Sequence, residues 1–153
     1  MVARGALVCI ACGKECPLSE FSPAGKGTRR AYCKPCNAQI VRLRKYGITI
    51  DQLKELEDFQ GYACAICKSQ SVNKGKGLAA WHIDHDHSCC GTYEKACGGC
   101  VRGLLCESCN VRGLAWYEAL PPDSSISIPE FERYIANPPM RRLRALKSGT
   151  NDK

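Results

Sequence analysis

A chain of 153 residues with a formal net charge of +7 has room for one ordinary domain or two very small ones. Its 44% hydrophobic share includes thirteen cysteines and its aromatic share is only 7%, so a conventional core is thin for this length and the fold needs staples. No segment approaches the length of a membrane span, and Met1 to Ile10 has neither a long apolar region nor a cleavage site, so the expected compartment is a reducing cytoplasm with no membrane partner.

The staples are read from spacing. Cys9-Ile-Ala-Cys12, Cys33-Lys-Pro-Cys36, Cys64-Ala-Ile-Cys67, Cys97-Gly-Gly-Cys100 and Cys106-Glu-Ser-Cys109 repeat the two-residue gap that lets both thiolates of a knuckle grip one tetrahedral ion. Secreted disulfide frameworks rarely repeat that gap so regularly, which favours Zn²⁺ over disulfides. Basic residues gather at Arg29-Arg30, Arg42 to Lys45, Lys74 to Lys76, Arg102, Arg112 and Arg141 to Lys147. Such a surface attracts phosphate backbones, although a solvated basic face explains the charge equally well.

Residues 1–45 read as a zinc ribbon, with Cys9 and Cys12 in one knuckle and Cys33 and Cys36 in the other. Cys16 is then a spare, a small buried residue or a replacement for Cys12. Asn37 to Lys45 suits a basic helix stopped at Tyr46-Gly47. Thr49 can cap a second helix over Ile50 to Gln60 with Leu53, Leu56 and Phe59 on one face, and residues 46–62 are its connecting segment. Cys64 and Cys67 open a second unit, residues 63–122, and pair with Cys106 and Cys109. The long span between them requires a hairpin or loop, with Asn73 to Gly77 as its tip and Leu78 to Ile83 as a strand.

All three histidines and several acids fall between Trp81 and Asn110. Cleaving a phosphodiester needs an activated water, a divalent cation and a frame that fixes both. His85 is a suitable base, and Asp84 with the Asn110 amide oxygen is a sufficient protein ligand set for Mg²⁺, which keeps most of its waters. Adjacent strand residues point to opposite faces, so Asp84 and His85 can serve one phosphate only if the chain bends there, as a loop beginning at His85 would allow. The alternative is that Asp84, His85, Asp86 and His87 hold a transition metal.

The run HIDHDH, followed by VRGLLC-x-x-CN and preceded by CAIC, resembles the phage recombination endonuclease VII family within the His-Me finger (HNH-type) nucleases. An upstream CKPCN ribbon end and a YGIT-led helix extend the resemblance over roughly residues 5–120. It implies a small zinc-stabilised α+β fold: an N-terminal ribbon, a ββα-metal core and short C-terminal helices. It implies His85 as general base, Asp84 and Asn110 as ligands of catalytic Mg²⁺ (with Mn²⁺ as substitute), and His87 on the scissile phosphate. Cys64, Cys67, Cys106 and Cys109 would hold structural zinc, with His82 and Asp86 orienting the others. The implied activity is endonucleolytic hydrolysis of DNA to 5′-phosphate and 3′-hydroxyl ends, at branched, recombination or packaging structures, in the host cytoplasm. Partners would be DNA, read through backbone and shape, and a second copy or phage recombination and packaging proteins. A zinc-dependent DNA-binding module without turnover is the competing class.

Three features depart from the family pattern. Branch-resolving members carry a Glu three residues after the Asn, where this chain has Gly113, so that either the site works with two protein ligands or Glu107 or Glu118 compensates. An insertion, residues 88–100, brings Cys89, Cys90, Cys97 and Cys100, four thiols that suit a third zinc, a disulfide or a mixed site. The tail, residues 123–153, is short: after a helix over Arg112 to Leu120 come a helix begun by Pro129 and a basic terminus whose arginines either contact phosphate or fray into solvent.

Overall fold

The computed structural model describes residues 5–70, 81–90 and 96–149. Among the described residues the fold is a small α+β assembly of three two-stranded antiparallel sheets and short helices. Strands β1 (Ala6–Val8) and β2 (Glu15–Pro17) form one hairpin, and β3 (Phe21–Gly25) and β4 (Thr28–Cys33) another. Together they make the expected ribbon. Its own core is tiny: Cys9, Phe21 and Cys33 are buried, with Ala11, Cys16 and Cys36 packed against them.

Helix α1 (Lys34–Tyr46) begins three residues before the expected start, because Pro35 in its first turn gives up only an amide that has no helical partner there. Gly47 ends it in the left-handed conformation at φ 65°. Helix α2 (Ile50–Phe59) opens with a reciprocal capping box, in which Thr49 accepts from the Gln52 amide and the Gln52 side chain accepts from the Thr49 amide. Its Leu53 and Leu56 are buried.

Strand β5 (His82–His85) pairs with β6 (Val101–Leu105), and the chain then turns into a π-helical segment (Ser108–Leu114) that runs on into α3 (Ala115–Glu118). This is a ββα unit. The expected strand over Leu78 to Ile83 is displaced: the strand runs through His85, and Leu78 to Ala80, like the proposed tip at Asn73 to Gly77, lies outside the described residues. The helix expected from Arg112 begins at Ser108, since the Cys106–Cys109 knuckle leads directly into it.

Helices α4 (Pro129–Ala136) and α5 (Pro139–Gly149) close the molecule. The basic terminus is therefore a packed helix rather than a frayed tail. Its Met140 is buried in the main core with Leu43, Leu53, Leu56, Trp81, Ile83, Leu104, Leu105, Leu114 and Tyr134. Arg142 lies over the Phe59 ring and Lys147 pairs with Glu55, so α5 spends part of its charge on α2. No helix among the described residues is long and apolar enough to cross a membrane.

Candidate active site

The site is built on the β5–β6 hairpin. His82 pairs with Leu105, Ile83 with Leu104 and Asp84 with Gly103, but His85 pairs with Val101, so Arg102 is an extra residue opposite the Asp84–His85 step. This bulge interrupts the regular alternation at the Asp84–His85 step, and it does so on the partner strand instead of through a loop at His85. The hairpin is held from below by Gln60. Its side-chain amide donates to Leu104 O at 2.9 Å and accepts from Leu104 N at 2.9 Å, while Ala65 N donates to Leu104 O at 3.0 Å and fastens the Cys64 knuckle to β6.

Asp84 is 4% exposed and Arg102 6%. An arginine in a fully buried strand must be paired. Arg102 Nε donates to Asp84 Oδ2 at 2.7 Å and its Nη2 to Oδ1 at 3.0 Å, while Nη1 and Nη2 donate to Glu118 at 2.6 and 3.0 Å. Tyr134 Oη donates to Asp84 Oδ2 at 2.7 Å. Burial opposes the guanidinium charge, but hydrogen bonds to Glu118 and Asp84 and their charges outweigh it and hold Arg102 more firmly protonated than usual. Burial beside the Asp84 charge likewise raises the Tyr134 hydroxyl well above its ordinary range, so it stays a donor.

His85 is half-buried and His87 exposed. Their rings lie 4.3 Å apart, and the Tyr46 ring meets His85 edge-on at 5.7 Å. Burial, then the charge of His87, pulls the His85 pKa below its ordinary value against the opposite pull of Asp84, which favours the neutral imidazole a base requires. Asp86 accepts from Ser88 N at 2.9 Å and Ser88 Oγ at 2.6 Å, a local turn that lowers its pKa. Asp86, His87, Ser88, Arg102, Tyr117 and Glu118 line part of an open cleft of about 680 Å³.

Asn110 sits in the π-helical segment, where Ala115 N donates to its carbonyl, and its side-chain amide lies 3.3 Å from His82 Nδ1. His82 and Asp84 occupy the same face of β5, one pleat repeat or about 7 Å apart. The structure thus brings Asn110 to the Asp84 face of the strand through His82. Asp84 and Asn110 do not hydrogen-bond each other, since Asp84 is taken by Arg102 and Tyr134. Sequence reasoning missed Arg102 and Tyr134. The first had a signal, a lone charge in the apolar run VRGLL; the second had none, because nothing local ties α4 to β5.

Gly113 also has a structural account. A Cβ built there would lie 2.8 Å from Phe131 Cζ of α4, so the ring occupies the volume a side chain would need. Glu118 reaches the Asp84 network through Arg102, whereas Glu107 stands at the entry to the π-helical segment.

Three groups of four cysteines could each hold a metal ion, zinc among them: Cys9, Cys12, Cys33 and Cys36; Cys64, Cys67, Cys106 and Cys109; and Cys89, Cys90, Cys97 and Cys100, each with all Sγ atoms within 4.8 Å of one another. None of the cysteines is in a disulfide. Backbone amides point at the sulfurs: Cys33 N donates to Cys9 Sγ at 3.4 Å and Cys109 N to Cys106 Sγ at 3.5 Å. Burial opposes the Cys9 thiolate, but amides of Cys33, Cys12 and Ala11 outweigh it and lower its pKa to about 6. Cys16 stays outside the first group, its Sγ 3.7 Å from Lys14 O. Outside these thiolate sets, the described residues contain no cluster of three or more His, Cys, Asp or Glu side chains placed to share a metal, so the tetrad Asp84 to His87 does not converge on one ion.

Residues 39–125 match the sequence profile of recombination endonuclease VII. The chain is 37% identical over 100 residues to the Gene 59 protein of Mycobacterium phage L5, covering 63% of this chain and 49% of that protein. It is 39% identical over 74 residues to the Gene 59 protein of Mycobacterium phage D29, covering 48% and 37%. It therefore spans half or less of the length of these relatives. Among solved structures, the ββα-Me type II restriction endonuclease Hpy99I aligns over 94% of this chain and 66% of that one, at 21% identity and a TM-score of 0.26.

Proposed function

The chain belongs to the recombination endonuclease VII family, and from that premise we propose that it is a DNA endonuclease hydrolysing phosphodiester bonds with a divalent metal, Mg²⁺ by ligand class. The observation that carries this reading is the bulge opposite Asp84–His85, which anchors the acid in a buried network and leaves the next residue, an imidazole, half open to solvent.

The donor set fits such an ion. An ionised carboxylate has about four acceptor positions, and three of those on Asp84 are used by Arg102 and Tyr134, leaving one on Oδ1. The Asn110 amide oxygen is the second ligand, and Mg²⁺ is content with two protein oxygens and water. Charge balance agrees, because Glu118 offsets Arg102 and the three groups together keep one negative charge. Gly113 withholds the additional carboxylate of branch-resolving relatives, and Glu118 takes over its electrostatic part from a distance. When bound, the ion supplies Lewis-acid stabilisation of the phosphate and of the departing oxygen.

The side chains perform the rest. His85, kept neutral by burial, takes the proton of the attacking water as the new oxygen–phosphorus bond forms and the phosphorus–O3′ bond breaks, the departing 3′-oxygen taking a proton from solvent water. His82 fixes the Asn110 amide. His87, exposed and tilted against the His85 ring, holds the non-bridging oxygens of the scissile phosphate. The first two cysteine groups hold structural zinc, since zinc–thiolate bonds of about 2.3 Å give tetrahedral edges of about 3.8 Å and the Cys67 and Cys106 sulfurs stand 3.8 Å apart.

Incubation of the purified protein with supercoiled and with branched DNA, in Mg²⁺ and in EDTA, tests the proposal. Cleavage should need the metal, and His85→Ala should lower it by about 10²–10⁴-fold while zinc content and circular dichroism stay unchanged. Intact binding with no cleavage of either substrate would replace the nuclease by a zinc-dependent DNA-binding module.

A further inference from the structure

The third thiolate group lies between the two strands that carry the site. Cys89 and Cys90 follow His87 on the turn leaving β5, and Cys97 and Cys100 form the knuckle that enters β6. The knuckle is firmly docked. Ala96 N donates to Lys45 O at the end of α1 at 2.8 Å, and Arg144 of α5 donates to Gly99 O at 2.8 Å and Gly98 O at 2.6 Å. Gly98 and Gly47 meet backbone to backbone, so closely that a Cβ on Gly98 would stand 2.3 Å from Gly47 O. The histidine turn has fewer ties outward: His85 pairs with Val101 and Asp86 N donates to Cys100 O at 2.9 Å, while Cys89 N to Asp86 O at 3.2 Å closes the turn on itself. Across the gap, Cys89 Sγ stands 3.9 Å from both Cys97 Sγ and Cys90 Sγ, the edge of a zinc–thiolate tetrahedron to within about 0.1 Å.

We propose that Cys89, Cys90, Cys97 and Cys100 bind a third zinc ion, and that this ion is a positioning device which clamps the His85–His87 turn to the knuckle docked on α1 and α5. The positioning half rests on the nuclease reading above; the metal half does not. The four sulfurs come from two chain segments with different attachments, so the ion is the strongest link between them. Its loss leaves the main core intact, because the Cys64 group and the apolar contacts around it do not pass through this tip.

Zinc content of the full-length protein, purified with zinc and measured by elemental analysis, tests the metal half. Three ions per chain are expected, and two in the Cys89→Ser/Cys97→Ser double variant. Two ions in the parent overturn the site. For the positioning half, the ring ¹H–¹⁵N signals of His85 and His87 should shift or broaden in the double variant while helical circular dichroism is retained. Single-turnover cleavage should fall about 10–100-fold, as supporting groups of metal-dependent sites typically show, with DNA affinity changed less than threefold. Cys97→His, which keeps a ligand, should restore the third ion and most of the lost rate. Unchanged histidine signals, or parental cleavage with only two ions, overturn the clamp. If neither protein cleaves DNA while the ion count and histidine signals behave as stated, the nuclease reading falls and the clamp stands.

Discussion

The ribbon and the ββα unit use the same ligand set in opposite structural economies. In the ribbon the buried core among the described residues is Cys9, Phe21 and Cys33, two of them members of the first cysteine group. Around Cys64, a ligand of equal burial, lie Leu53, Leu56, Trp81, Ile83, Leu104, Leu105 and Leu114. An ion held by the first group would substitute for a core, and one held by the second would pin a core that already exists. Helix α1 joins the two regimes, with Cys36 in its first turn and Leu43 buried in the main core.

The strongest way to break this contrast is to remove one ligand from each unit. Structural zinc sites contribute about 10–16 kcal/mol of apparent binding energy at neutral pH. Cys9→Ser should therefore abolish the ribbon, exposing residues 5–33 to limited proteolysis, while the main thermal transition survives. Cys64→Ser should lower and broaden that main transition, because the thiol is embedded in the core it would disorder. Equal effects on the main transition would erase the distinction.

The second unit has a polar centre that the ribbon lacks, and Arg102→Met probes it. The substitution keeps the stem but strands two carboxylates, one of them 4% exposed. Removing one partner of a buried ion pair costs about 3–5 kcal/mol, read as a fall in the chemical-denaturation midpoint. The ribbon's zinc content should be unaffected.

Much of this was legible in advance, for definite reasons. Cysteine knuckles report their metal groups by spacing alone, and Thr49 and Gln52 report a helix start by local hydrogen bonding. His85 and Asn110 are singled out by residue type within a motif, and the roles proposed for them rest on that motif. What stayed hidden was contact between segments far apart in sequence: Tyr134 on Asp84, Phe131 on Gly113, Gly98 on Gly47, Arg144 on the Cys97 knuckle. No periodicity encodes these. Arg141 to Lys147 looked like a tail because its charges hid an apolar edge, Met140 with Leu143, that packs on the main core.

Gly113 sharpens the contrast at smaller cost. Phe131 Cζ stands 2.8 Å from where its Cβ would be. Gly113→Ala should destabilise the ββα unit by about 1–3 kcal/mol through overpacking, and Phe131→Leu should recover most of the loss in the double variant. If alanine is accepted without cost, α4 does not exclude a side chain at this position, and the missing family carboxylate needs another explanation.

The smallest effect belongs to Tyr134→Phe. The change deletes one donor to Asp84 Oδ2, which keeps the Arg102 Nε donor at 2.7 Å, so the carboxylate is not stranded. A hydrogen bond lost under those conditions costs about 1 kcal/mol, near the limit of a denaturation curve. The informative readout is metal dependence of cleavage, since freeing an acceptor position on Asp84 makes it a better ligand. The variant should reach half-maximal rate at a lower Mg²⁺ concentration, although the fold is slightly weaker. A higher requirement would instead mean that the hydroxyl aims Asp84 at the ion, and that α4 serves the site by orientation and not by competition.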